Sequence, residues 1–156
     1  MIEIKCPAVM KFKPLDKTAI FMAGGITGCP DWQREVANQL SGIPNLILIN
    51  PRRDSWDPTL SGKEQIVWEH RHLQLADYTY FWFPKEGQCA ITLFELGAAL
   101  GEKRNIRVGV EPGYWRELDV HAQVERAASH ITVVDKLYDL YEPVWSSQPY
   151  NSYVMD

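Results

Sequence analysis

The sequence predicts a doubly wound α/β sandwich on a mostly parallel sheet of about five strands. Two observations carry that expectation. Short apolar runs alternate along the chain with amphipathic helical stretches, the order that βαβ units require. The runs are apolar throughout, with no alternation of polar residues, as in strands covered on both faces. At 156 residues the chain has the size of one domain, 1–156, able to bury a core without disulfides or metal.

The elements follow in order. Residues 18–23 form an apolar run that ends at Gly24-Gly25, a strand meeting a tight turn. Pro30 and Asp31 open a helix to Leu40, with Trp32, Val36 and Leu40 on one face. Residues 46–49 are a second strand, stopped by Asn50-Pro51, and the polar, proline-punctuated stretch 52–60 is a loop. Ser61 and Glu64 have capping-box spacing and start a helix to about Ala76. Residues 78–83 are an aromatic third strand closed by Pro84, and a loop leads to a helix from Thr92 to about Glu102. Strands at 106–110 and 131–134 flank a helix at 115–128. From about residue 135 the tail carries Tyr138, Tyr141, Trp145, Tyr150 and Tyr153; it reads as core, partner arm or lid. Right-handed crossovers give a flavodoxin- or Rossmann-like sheet, with ligands beyond the carboxyl ends of its strands.

Composition excludes several classes. Apolar residues make up 46% and charged residues 23%, so the chain is globular. A net charge of −4 without a Lys/Arg block excludes a duplex nucleic-acid binder. Three widely spaced cysteines suit a reducing compartment, and neither a signal peptide nor a membrane-spanning run is present, so a cytoplasmic location is expected. The histidines are not spaced as metal ligands.

Four features could carry chemistry. The glycine turn Gly24, Gly25, Ile26, Thr27, Gly28 precedes a helix and either cradles an anion or is a plain turn. Arg52 and Arg53, after Asn50, either clamp a phosphate or carboxylate or are solvated. Asp77 ends a helix against the dipole, as a functional carboxylate or a turn residue. Glu95 has capping-box spacing from Thr92; it is either a cap in the first turn or an ionised carboxylate for glycosidic chemistry.

Together these pieces resemble the nucleoside 2-deoxyribosyltransferase-like family. The carriers are Phe21-Met-Ala-Gly-Gly-Ile-Thr-Gly28, Asn50-Pro-Arg-Arg53, Trp68-Glu69 with Leu75-Ala-Asp77, and Thr92-Leu-Phe-Glu-Leu-Gly97, within about residues 18–102. The resemblance implies cleavage or exchange of the N-glycosidic bond of a nucleoside or its monophosphate. Glu95 matches the nucleophile, Asp77 the carboxyl group that protonates the departing base, and the Gly24–Gly28 turn the loop over the sugar or its 5′-phosphate. Cys89 stands where such transferases commonly carry Asp, and Phe21 where a tyrosine often steadies the nucleophile. No metal or redox cofactor is implied. The partners expected are a small nucleoside or nucleotide and further copies of the chain, with the aromatic tail as interface; neither a nucleic-acid polymer nor a membrane is expected. The competing reading is a non-catalytic nucleotide-binding module that uses the same crevice.

Overall fold

The computed structural model describes residues 1–55 and 61–146, with side chains to residue 144. In chain order the elements are β1 (Ile2–Lys5), β2 (Thr18–Gly24), α1 (Trp32–Gln39), β3 (Leu46–Asn50), α2 (Gly62–Leu75), β4 (Tyr78–Phe83), α3 (Ala90–Gly101), β5 (Ile106–Val110), α4 (Glu117–Ala127), β6 (Val133–Val134) and α5 (Leu137–Ser146). All strand pairs are parallel, in the order β1-β3-β2-β4-β5-β6.

The sheet therefore has six strands, one more than the sequence suggests. The extra strand, β1, is an edge strand paired only with β3. Its sequence Ile-Glu-Ile-Lys alternates, because an edge strand is covered less completely than the apolar runs of the centre. At the other edge β6 shrinks to two residues, and Ile131 instead closes a turn by donating its N–H to Ala128 O at 2.8 Å.

Alternate residues of the central strands feed two cores. On one face Phe21, Ile49, Phe81 and Val108 pack with Trp68 of α2, Leu96 of α3 and Val120 of α4. On the other, Ile20, Leu48, Tyr80 and Trp82 pack with Trp32 and Val36 of α1 and Leu140, Tyr141 and Val144 of α5. Burying both faces explains why β2, β3 and β4 contain almost no polar residue.

One expectation changes here and one is met. The aromatic tail begins as helix α5, and its Leu140, Tyr141 and Val144 are buried against the chain's own sheet. The apolar surface offered as an interface is thus partly consumed inside the fold, while Tyr138 stays exposed. Tyr150 and Tyr153 lie outside the described residues. The capping box of α2 is present: Ser61 N–H donates to Glu64 Oε2 at 2.7 Å, and Glu64 N–H donates to Ser61 Oγ at 3.2 Å.

Candidate active site

A crevice of about 550 Å³ opens beyond the carboxyl ends of β2 and β4. The turn after β2 supplies Gly24, Gly25, Ile26, Thr27 and Cys29; the loop after β4 supplies Glu86, Gln88 and Cys89. The start of α3 adds Ala90, Ile91, Thr92 and Glu95, while Phe21, Pro51 and Glu69 complete the wall.

The turn is held from behind. Trp32 donates its indole N–H to Gly25 O at 3.0 Å. Arg52 lies outside the crevice wall and turns its guanidinium onto the same segment. Its Nη2 donates to Ile26 O at 3.2 Å and Pro30 O at 2.9 Å, and its Nε to Gln33 Oε1 at 3.0 Å. Asp31 already caps α1, accepting from Arg34 N–H at 3.1 Å. Arg52 is thus taken out of the expected phosphate clamp: it braces backbone carbonyls, and a carboxylate occupies the helix end. Asn50 is likewise internal, donating to Glu3 Oε1 at 2.8 Å and accepting from Arg52 N–H at 2.9 Å. Gly28 does not line the crevice; it supplies the positive φ (73°) that the turn needs.

This bracing makes a prediction. Lysine keeps the charge of Arg52 but cannot span several carbonyls with one ammonium group. Arg52→Lys should cost about 2–3 kcal/mol, the scale of one or two hydrogen bonds from a charged donor. It should also weaken nucleoside binding in calorimetry as the turn loosens. Unchanged melting and affinity would show that the turn holds itself.

The entry to α3 departs from expectation. The helix starts at Ala90, so Thr92 is its third residue and Glu95 lies in the second turn, beyond reach of a first-turn cap. The capping box of Thr92 and Glu95 does not exist. Cys89 occupies the N-cap position in a left-handed conformation (φ 51°) and makes no side-chain cap bond. The first N–H groups of α3 stay open to an oxygen of a ligand. Burial pushes the Cys89 thiol up to about 12, so it is a neutral wall group and not a thiolate.

Two half-buried carboxylates, Glu69 and Glu95, line the crevice. Burial pushes Glu95 up to about 7, and the charge of Glu69 adds to the shift. Burial also raises Glu69, opposed by a hydrogen bond that Gln65 Nε2 donates at 2.8 Å and by the charge of Arg53. Glu95 shows no such opposing cause, so it keeps its proton up to about neutrality. Among the described residues lining the crevice are three glutamates, and neither lysine nor arginine.

Asp77 is elsewhere. It immediately precedes β4, at the amino end of the sheet, where its carboxylate accepts from Ala19 N–H at 2.8 Å and pairs with Lys13. It lines a different, shallower cavity with Tyr78 and Asn105. A strand has two ends, and Asp77 precedes β4 while the crevice follows it. The structure does not bring Asp77 to Glu95.

A family model described as nucleoside 2-deoxyribosyltransferase-like matches residues 17–114. The chain belongs to that family. Among curated proteins, none matches the chain. The matched segment runs from the start of β2 to just past β5 and contains all three crevice glutamates. Within the nucleoside 2-deoxyribosyltransferase-like region, Glu69 is the site residue that sequence reasoning passed over. It stood in the Trp68-Glu69 pair, but only the packing of α2 beside α3 shows that its carboxylate, and not that of Asp77, meets Glu95.

Proposed function

We propose that the protein cleaves or exchanges the N-glycosidic bond of a nucleoside, with Glu95 as nucleophile and Glu69 as proton donor. The observation that carries this reading is the half-buried pair of glutamates, both raised by desolvation, in a crevice that three carboxylates line. Such a wall favours a sugar ring gaining positive charge.

In the resting pair the proton sits mainly on Glu95, and the reactive arrangement has it on Glu69. Glu95 Oε then bonds to C1′ as the C1′–N bond breaks. The bond's electron pair goes to the base, which takes the proton from Glu69. In the second half, Glu69 removes a proton from water or an incoming base, whose lone pair attacks C1′ and frees Glu95. The open N–H groups at the start of α3 hold a sugar oxygen during both steps. Among the described residues the crevice lining holds three glutamates and neither lysine nor arginine, which favours the nucleoside over its monophosphate.

The test is incubation with a panel of ribo- and deoxyribonucleosides and their monophosphates, with and without an acceptor base, reading free or exchanged base. Release that needs an acceptor makes the protein a transferase, and release without one a hydrolase. Nucleosides that bind but never lose their base would leave the binding-module reading in place, which the neutral thiol of Cys89 on the wall favours.

A further inference from the structure

At the opposite end of the sheet lies a second, larger cavity of about 1160 Å³, which the proposed chemistry does not use. It follows the amino ends of β2, β4 and β5, and its lining is cationic and aromatic where the crevice is anionic. Lys103, Arg104, Arg107 and His130 line it, against Asp16 as the one carboxylate among the described lining residues. Arg104 is engaged, donating to Glu102 Oε2 and Leu73 O, whereas Arg107 is engaged only in part.

Two details show a groove shaped against local preference. Arg107 of β5 is the register partner of Tyr80 on β4, which places the guanidinium beside the phenol ring. Its Nη2 donates to Asp139 O at 3.1 Å, yet its Nε is buried with no hydrogen-bond partner among the described residues. A buried donor left unpaired is expensive, and a ligand acceptor would complete it. The second detail is Lys103. The end of α3 is a Schellman motif: Lys103 N–H donates to Leu100 O at 3.2 Å and Arg104 N–H to Ala99 O at 3.0 Å. The first of these two donors must be left-handed and is normally glycine, yet here it is Lys103 with φ 54°. A lysine there loses stability and puts an ammonium stem at the cavity. Tyr78 is half-exposed beside Tyr80, their rings 6.5 Å apart and edge-on, so one aromatic face is free to stack.

We propose that this groove is a second ligand site, specific for a planar aromatic anion of the aryl-phosphate or nucleotide class. The ring lies on Tyr78, Arg107 holds the anionic group, and Lys103 adds positive charge at the cavity rim. The site is independent of the crevice, since it shares none of its lining residues.

The experiment titrates 1-naphthyl phosphate, which has no glycosidic bond, into the ¹⁵N-labelled full chain, with inorganic phosphate and 1-naphthol as controls. Saturable shifts are expected at the amides of Thr18, Tyr78, Asn105 and Arg107 and at the Arg107 side chain, with each control at least about tenfold weaker. Lys103→Gly is the sharper variant, because it relieves the left-handed backbone while removing a cation. It should raise the melting temperature by about 2–4 °C and weaken naphthyl phosphate about tenfold. Arg107→Met should weaken it to a similar degree; if that variant fails to fold, Tyr78→Leu at its exposed position replaces it. Shifts confined to residues 24–29 and 86–95 would overturn the proposal. So would equal binding of 1-naphthol, or affinity untouched by Lys103→Gly.

Discussion

Glu95→Gln should abolish base release and at the same time make the protein more stable. The amide cannot form the bond to C1′, so turnover should fall by roughly 1,000-fold or more. Stability moves the other way because of what burial does to the acid. Glu95 titrates near 7 in the fold against an ordinary 4.5. The folded chain thus holds a proton that the unfolded chain releases. The stability linked to that proton is fully present below about pH 4.5 and is lost as pH rises through about 7. The loss amounts to about 3 kcal/mol above that range. Gln is neutral at every pH, so the variant should melt like the parent at pH 4 and several degrees above it at pH 8.

Its partner behaves differently. Glu69→Gln removes the second cause of the raised Glu95 titration, leaving burial, so the Glu95 value should fall towards the ordinary range. Base departure should slow, and substrates with good leaving groups should be spared. Parental activity should fall above pH 7, because the site then loses the proton that the departing base needs. Two measurements check all of this, base release and thermal melting of both variants from pH 4 to 8. Retained turnover in Glu95→Gln would remove Glu95 from the mechanism. A melting profile that still declines with pH would place the buried proton elsewhere.

The largest loss of stability should come from a single methyl group. A Cβ on Gly24 would sit 2.4 Å from Trp82 O and 2.6 Å from a ring carbon of Trp32. Trp82 is the register partner of Gly24 on the central strand β4, so its carbonyl has no room to retreat. Trp32 is fixed by its bond to Gly25 O. Gly24→Ala must part β2 from β4 at the crevice floor, at about 3 kcal/mol or more. Gly28→Ala is the matched control. A Cβ there meets nothing within 4 Å, and only its φ of 73° opposes it, which costs about 1 kcal/mol. A drop of about 6–12 °C for Gly24→Ala against 2–4 °C for Gly28→Ala in the same scan is expected. Equal drops would mean that backbone conformation, and not the packing of Trp32 and Trp82, is what this turn demands of its glycines.

The sequence by itself determined the order of βαβ units, the parallel sheet and the end of it that carries the crevice. These follow from one-dimensional signals: continuous apolar runs at β2, β3 and β4, a glycine turn after Gly24, and the Ser61–Glu64 cap. The edges were less legible, since β1 and β6 are short and partly exposed, and their burial depends on neighbours far along the chain. Tertiary structure alone decided the roles of single side chains. Arg52 reads as a free cation until the turn folds over it, and Thr92 and Glu95 read as a cap until α3 starts two residues early. Asp77 and Glu69 are both carboxylates near one helix, eight positions apart in sequence. The physical reason for their separation is direction. A helix followed by a strand puts its last residues at the strand's amino end, so Asp77 is anchored by Ala19 N–H and Lys13. Glu69, two turns back along α2, is carried to the carboxyl end and meets Glu95.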